Sequence, residues 1–127
     1  MSQQERFTLP ELPLGFGDLG VLRDIIQAYL AFLPRAGISA QEKQTQMHLL
    51  KGVSFKLADI PEQAVEACIL LSVGEIYALS CAIQVFIVFV NHKVSPSRAR
   101  DETLKDVARL RQCLLDLLPP SSTRNRV

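Results

Sequence analysis

The 127-residue sequence contains no Trp, only two His and only three Cys. Neither His has a Cys or a carboxylate at a ligand spacing such as i, i+4, so no pattern typical of a metal site is present. The sequence also lacks a Gly-rich phosphate loop, a dinucleotide fingerprint and a nucleophile elbow. We therefore predict that the protein is not an enzyme and has no catalytic residues, no metal and no cofactor.

The sequence also has no large excess of positive or negative charge, since the formal net charge is only +1. Such a chain has no long-range field that would mark nucleic acid or acidic lipid as its partner. The charges are nevertheless unevenly placed. Residues 62–91 contain no Lys or Arg, whereas residues 92–127 contain eight. The C-terminal part of the chain is therefore mildly basic.

The three cysteines are Cys68, Cys81 and Cys113, an odd number in apolar stretches without C-x-x-C spacing. This pattern predicts buried free thiols in a reducing compartment. The first residues, Met-Ser-Gln-Gln-Glu-Arg, lack the basic-then-apolar order of a signal peptide. We expect a cytoplasmic protein.

The long apolar stretch from Ala64 to Val90 has the composition of a membrane span, but Glu75 interrupts it. Only residues 76–90 remain uncharged before Asn91, whereas a span needs about 20 largely apolar residues. A charged side chain inside a span is also costly. We expect no membrane partner.

One sequence pattern occurs twice, 57 residues apart. When residues 12–33 are placed on residues 69–90, six of the 22 positions are identical. The register continues without a gap into a second apolar pattern, in which Met47, Leu50, Val53 and Leu57 meet Leu104, Val107, Leu110 and Leu114. A repeat of this kind predicts architecture before any single element is assigned.

The repeat predicts a mainly α protein with one domain over residues 1–118 and a disordered basic tail over 119–127. The repeat units are about 7–58 and 64–115, and each consists of an extended segment followed by two helices. The extended segments are expected at Phe7–Leu14 and Ala64–Leu71. The helices that follow them are expected at about Asp18–Leu33 and Glu75–Val90, because apolar residues recur there at helical spacing. The expected core stripes are Leu19, Leu22, Ile26, Tyr29 and Leu33 in the first helix and Ile76, Leu79, Ile83, Phe86 and Val90 in the other.

Two helical hairpins, neither able to bury its apolar stripe alone, would pack about a pseudo-two-fold axis as a four-helix bundle. The two extended segments would then lie antiparallel and close together. A short two-stranded β-ribbon is compatible with that arrangement. Pro10 and Pro13 make the first segment a poor member of such a ribbon.

Helix starts are marked by residues that can cap them. Ser72 and Glu75 match a capping box, as do Ser39 and Glu42. The Ser72 box divides the long apolar stretch into an extended segment and a helix. Ser95 followed by Pro96 predicts the start of the fourth helix, because Pro is favoured at the first helical position.

The third predicted helix is apolar almost all the way round. Opposite its core stripe it carries Tyr77, Cys81, Val85, Val88 and Phe89. Such a helix must be covered on more than one side, either by its own chain or by another molecule. We predict that these five residues form a protein interface.

Two polar features leave alternatives open. Arg111 projects toward the apolar side of the last helix, so it either extends its guanidinium past the core edge or pairs with a carboxylate on a partner helix. Gln27 and Gln84 occupy the same place in the repeat, where they either contact each other or mark the border of the core.

The sequence thus predicts a small non-enzymatic helical interaction or assembly module that self-associates as a homodimer or binds another protein. The alternative is a regulatory nucleic-acid-binding protein that uses the basic C-terminal helix and tail. That protein would use Lys93, Arg98, Arg100, Lys105, Arg109, Arg124 and Arg126. Both charge signs alternate on the last helix, which favours a solvated face over a nucleic-acid footprint. A ligand-binding bundle would need a cavity lined by convergent polar groups, which the sequence does not indicate.

Overall fold

The computed structural model describes residues 10–15, 17–61 and 64–118. Within these ranges the chain forms four α-helices and one two-stranded antiparallel sheet, which confirms a mainly helical protein with a β-ribbon. In chain order the elements are β1 (Glu11–Leu14), α1 (Asp18–Phe32), a 3₁₀ turn (Leu33–Arg35), α2 (Ala40–Ala58), β2 (Ala67–Leu70), α3 (Val73–Lys93) and α4 (Arg98–Asp116). The predicted tail and the start of the first extended segment lie outside the described residues.

The ribbon pairs Leu12 with Ile69 and Pro13 with Cys68. The Leu71 N–H donates to the carbonyl of Pro10 at 3.0 Å. Because hydrogen-bonded and non-hydrogen-bonded pairs alternate along an antiparallel ladder, this bond places Pro13 at a non-hydrogen-bonded position. The missing N–H of Pro13 therefore costs the ladder nothing, which explains how β1 forms despite its prolines.

Serine hydroxyls begin two of the helices as predicted. The Ser72 Oγ accepts the Glu75 N–H at 3.1 Å, while the Glu75 carboxylate accepts the Ser72 N–H at 2.9 Å. This reciprocal capping box starts α3 at Val73. The Ser39 Oγ accepts the Glu42 N–H at 3.1 Å and caps α2. The predicted box is only half formed there, because the Glu42 carboxylate accepts the Gln46 Nε2 instead of the Ser39 N–H.

The predicted start of the fourth helix was wrong. α4 begins at Arg98, and its N-cap is Ser97, whose hydroxyl accepts the Arg100 N–H at 3.1 Å. Ser97 offers the same capping group as Ser95, two residues later. α3 also extends beyond the expected end at Val90, to Lys93, and ends where Val94 takes an extended conformation.

The core forms around α3, which packs against α1, α2 and α4. Burying a large aliphatic side chain stabilises a fold by about 1.5–3 kcal/mol, so the stripes facing this helix carry much of the stability. The predicted stripes are largely confirmed, although Leu19, Met47, Phe86 and Leu104 are only partly buried. Residues with little or no exposure include Leu12, Leu22, Ile26, Leu50, Val53, Leu57, Ile69, Ile76, Leu79, Ile83, Val107, Leu110 and Leu114.

The expectation of buried thiols was wrong for two of the three cysteines. Cys68 and Cys81 are exposed, Cys113 is partly buried, and all three are free. Cys68 precedes the buried Ile69 in β2, and neighbouring strand residues point to opposite faces. An apolar stretch in the sequence therefore gave no information about which side of its element each thiol occupies.

Replacing Ser72 with Ala should lower the free energy of unfolding by about 0.5–2 kcal/mol, because the Glu75 N–H loses its acceptor at the helix start. Urea denaturation measures the change. Ser80→Ala is a matched control in the same helix, since the Ser80 Oγ is buried without a hydrogen-bond partner among the described residues. We expect this control to be neutral or stabilising, and an unchanged midpoint for Ser72→Ala would contradict the capping role.

Candidate functional site

One side of α3 is left uncovered by the part of the chain that the structure describes. Val73, Tyr77 and Val88 are 41%, 48% and 46% exposed, and Cys81 and Gln84 are exposed beside them. At about 100° per residue these five positions fall within an arc of about 80°. We call them the α3 strip. The strip carries no charged side chain, and Gln84 and the Tyr77 hydroxyl are its polar groups.

The five predicted interface residues are only partly brought together. Tyr77, Cys81 and Val88 lie on the α3 strip. Val85 is half-buried at its border, and Phe89, although 56% exposed, lies about 120° round the helix from Tyr77. Sequence reasoning missed Val73 because it placed the helix start two residues too late.

The strip lies between α2 and α4. On the α2 side, Leu49 packs over Gly74. On the α4 side, the Arg100 guanidinium donates to the Asn91 Oδ1 at 2.7 Å. Gly74 and Asn91 lie about 60° to one side and 40° to the other side of Tyr77. The two neighbouring helices therefore form the two borders of the strip.

The Cys81 thiol of the α3 strip has a raised pKa. Burial raises the pKa of the Cys81 thiol; Glu42 of α2 raises it further, and Arg111 of α4 lowers it. An anion favours a neutral thiol and a cation favours a thiolate, so both charges act on the same sulfur. The net effect is a raised pKa, so the Cys81 thiol stays protonated at neutral pH.

A chain of hydrogen bonds connects Glu42 to the core. The Tyr29 hydroxyl donates to the Gln46 Oε1, and the Gln46 Nε2 donates to the Glu42 Oε2 at 3.0 Å. Burial raises the pKa of the Tyr29 phenol, with smaller contributions from Cys81 and Glu42. The phenol stays protonated at neutral pH and donates to the amide that orients the carboxylate.

Two further carboxylates hold the ends of the helices together. Asp18 accepts the Gly15 N–H at 2.7 Å and Arg109 of α4 at 3.0 Å. Glu75 accepts Lys56 of α2 at 2.6 Å in addition to its cap bond. Both carboxylate side chains are only 10% exposed. Each carboxylate therefore joins a helix start in one half of the chain to a helix of the other half.

An open cavity of about 750 Å³ lies beside the Asp18–Arg109 pair. It is lined by Pro13, Leu14, Gly15, Asp18, Glu66, Ala67, Cys68, Arg109 and Cys113. Asp18 and Arg109 are bonded to each other, which leaves few free polar groups to converge on a ligand. Within residues 10–15, 17–61 and 64–118, no group of three or more His, Cys, Asp or Glu side chains could hold a metal ion.

Comparison with protein-family models, with curated proteins and with solved structures finds no match to this chain.

Among the described helices, α3 is long and apolar enough to cross a membrane by length and composition. Its most apolar 18-residue window has a mean hydropathy of 2.0, and 44% of that window is buried within the structure. Function must therefore be argued from the surface of this helix.

Replacing Lys56 with Met should destabilise the fold by about 1–3 kcal/mol, because the nearly buried Glu75 carboxylate would lose its cation. Met keeps the length and helix propensity of Lys. Lys51→Met is the matched control, since Lys51 lies exposed in the same helix. Urea denaturation should separate the two variants, and equal midpoints would show that the Lys56–Glu75 pair contributes nothing.

Proposed function

We propose that this chain is a small non-enzymatic helical assembly module that self-associates through the α3 strip. The observation that carries the proposal is the strip itself, a contiguous apolar surface on the most apolar helix of the protein. Soluble proteins rarely leave large patches of this kind uncovered. An isologous contact between two copies is the commonest way to cover one. The exposed free thiols fit a cytoplasmic location, where thiols remain reduced.

We also propose that the chain is a single domain to residue 118, built by tandem duplication into a four-helix bundle. The ribbon register supports this proposal. A shift of 57 residues carries Glu11 to Cys68 and Pro13 to Leu70, and the ribbon pairs Glu11 with Leu70 and Pro13 with Cys68. A two-fold axis through the Leu12–Ile69 pair therefore exchanges the Glu11–Leu70 pair with the Pro13–Cys68 pair.

The helix starts support the duplication in the same way. The Asp18 carboxylate accepts the Gly15 N–H, and 57 residues later the Glu75 carboxylate accepts the Ser72 N–H. Each carboxylate then bonds to a cation on the second helix of the opposite half. Carboxylates at equivalent positions thus bond the same two kinds of group, although their cations come from different positions, and this similarity supports two related units.

A nucleic-acid partner has less support. Of the cations that would form a footprint on α4, Arg98 pairs with Glu102 at 3.4 Å and Arg109 pairs with Asp18. Arg100 donates to Asn91. These guanidiniums are engaged within the chain, and the tail cations lie outside the described residues. If the protein binds a nucleic-acid duplex and its affinity for the duplex falls steeply as salt is added, that result would favour this alternative.

A lipid surface is the other apolar partner that α3 would suit by composition. Helices that lie on membranes usually carry Lys and Arg on both sides of their apolar face, where they meet anionic headgroups. The α3 strip itself contains no Lys or Arg. Its composition favours a protein partner, so we propose no membrane contact.

Replacing Val88 with Glu should convert a dimer to a monomer without loss of helicity. Val88 is 46% exposed in one copy, so a carboxylate there is solvated in the monomer but buried beside its own copy in a dimer. Sedimentation at tens of micromolar protein measures the mass, and circular dichroism measures the helix content.

Val94→Glu provides the control, because Val94 is 42% exposed but lies beyond the end of α3. We expect this variant to stay dimeric. A wild-type chain that is monomeric at tens of micromolar, or a Val88→Glu chain that unfolds, would contradict the proposed assembly.

A further inference from the structure

The two ends of the β-ribbon differ in how the chain fills the space beside them. At the end near Leu70, the Lys56 ammonium donates to the Leu70 carbonyl at 2.7 Å and to the Glu75 Oε1 at 2.6 Å. The same Oε1 also accepts the Ser72 N–H at 2.9 Å. An ammonium group of the chain itself thus lies between a strand carbonyl and the carboxylate at the start of a helix.

The open cavity lies at the other end of the ribbon. There, 57 positions earlier in each case, Pro13 corresponds to the strand residue and Asp18 to the carboxylate. Cys113 corresponds to the lysine, and all three residues line the cavity. Because a cysteine side chain is short and uncharged, it brings no ammonium to the two acceptors.

Both acceptors can form further hydrogen bonds. Pro13 lies at a non-hydrogen-bonded position of the ribbon, so its carbonyl points away from β2, and no donor among the described residues bonds to it. Arg109 donates to the Asp18 Oδ1, whereas the Asp18 Oδ2 accepts only the Gly15 N–H within the part of the chain that the structure describes. Since a carboxylate oxygen has two lone pairs, Oδ2 can accept one more donor.

The charge of the cavity lining favours a cation. The carboxylates of Asp18 and Glu66 and the guanidinium of Arg109 leave one net negative charge. At the opposite end, Lys56 balances the charge of Glu75. A monovalent cation would balance the cavity in the same way, and its alkyl chain would contact the apolar lining formed by Pro13, Leu14 and Ala67.

We propose that this cavity binds a primary alkylammonium ion, which donates to the Pro13 carbonyl and to the Asp18 Oδ2. The Lys56 ammonium makes the corresponding two contacts in the other half of the chain. An alkylamine has a pKa close to that of lysine, about 10.4, so it is protonated at neutral pH and carries three donors. The site lies away from the α3 strip, and the proposal does not rest on self-association.

NMR titration of the ¹⁵N-labelled full-length chain with n-butylammonium at fixed ionic strength tests the site. We expect the Gly15 and Asp18 N–H signals to shift, with a dissociation constant of about 1 mM for so small a probe. The matched control is n-butyltrimethylammonium, which has the same charge and alkyl chain but no N–H donor. It should bind at least about tenfold more weakly. Equal binding of the two ions, or no shift with either, would overturn the proposal.

Replacing Cys113 with Lys tests the position of the ammonium, because the variant supplies an ammonium from the chain itself. We expect its affinity for n-butylammonium to fall at least about tenfold, whereas Cys113→Ser, which keeps a short side chain, should bind as the wild type does. A Cys113→Lys chain that binds n-butylammonium with unchanged affinity would contradict the assigned site.

Circular dichroism shows whether the Cys113→Lys chain remains folded. If it does not, Glu66→Gln provides the deciding measurement, since Glu66 is exposed and the substitution removes one negative charge from the lining. This variant should bind n-butylammonium about threefold more weakly, because less negative charge attracts the cation. An unchanged dissociation constant for Glu66→Gln would then overturn the proposal.

Discussion

The rest of the fold depends on the capping box formed by Ser72 and Glu75. Residues 64–93 are apolar enough to continue as a single helix, and the box divides them into β2 and α3. Once the chain turns there, β2 can pair with β1 and α3 can pack against three other helices. The same carboxylate also accepts Lys56 from α2. One side chain therefore ends a strand, starts a helix and fixes a neighbouring helix.

The carboxylates of Asp18 and Glu75, each at the start of a helix, pair with cations that lie on different turns of α4 and α2. Under the proposed duplication, Arg109 corresponds to Gly52 and Lys56 corresponds to Cys113. A side chain at Gly52 would meet the Glu75 Oε2, since a Cβ there would lie only 3.0 Å from it. Lys56 supplies the charge one turn later instead. In the other half Arg109 supplies the charge, and the short Cys113 side chain lines the open cavity beside it.

Much of the fold was predictable because it rests on local patterns. The apolar stripes, the serine caps at positions 39 and 72 and the existence of four helices all follow from residues a few positions apart. The start of α4 at Ser97 was not predictable, because Ser95 offered an equal cap. The Arg109–Asp18 pair joins residues 91 positions apart, so no local signal could reveal it. For the site, the pattern found the apolar helix but not its borders, which depend on where α2 and α4 pack.

A comparison of α1 with α3 shows whether folding itself requires apolar side chains at the positions of the α3 strip. Under the proposed duplication, the positions of α1 that correspond to Tyr77, Cys81 and Val88 are Gly20, Asp24 and Ala31, all exposed. The same place in the architecture is therefore filled by small or charged residues in one half and by larger, uncharged residues in the other. Folding does not require apolar side chains at these positions, since α1 packs without them. Exposed apolar groups gain their stabilisation only when they leave water. The composition of the strip is therefore consistent with the contact to a second molecule that we propose.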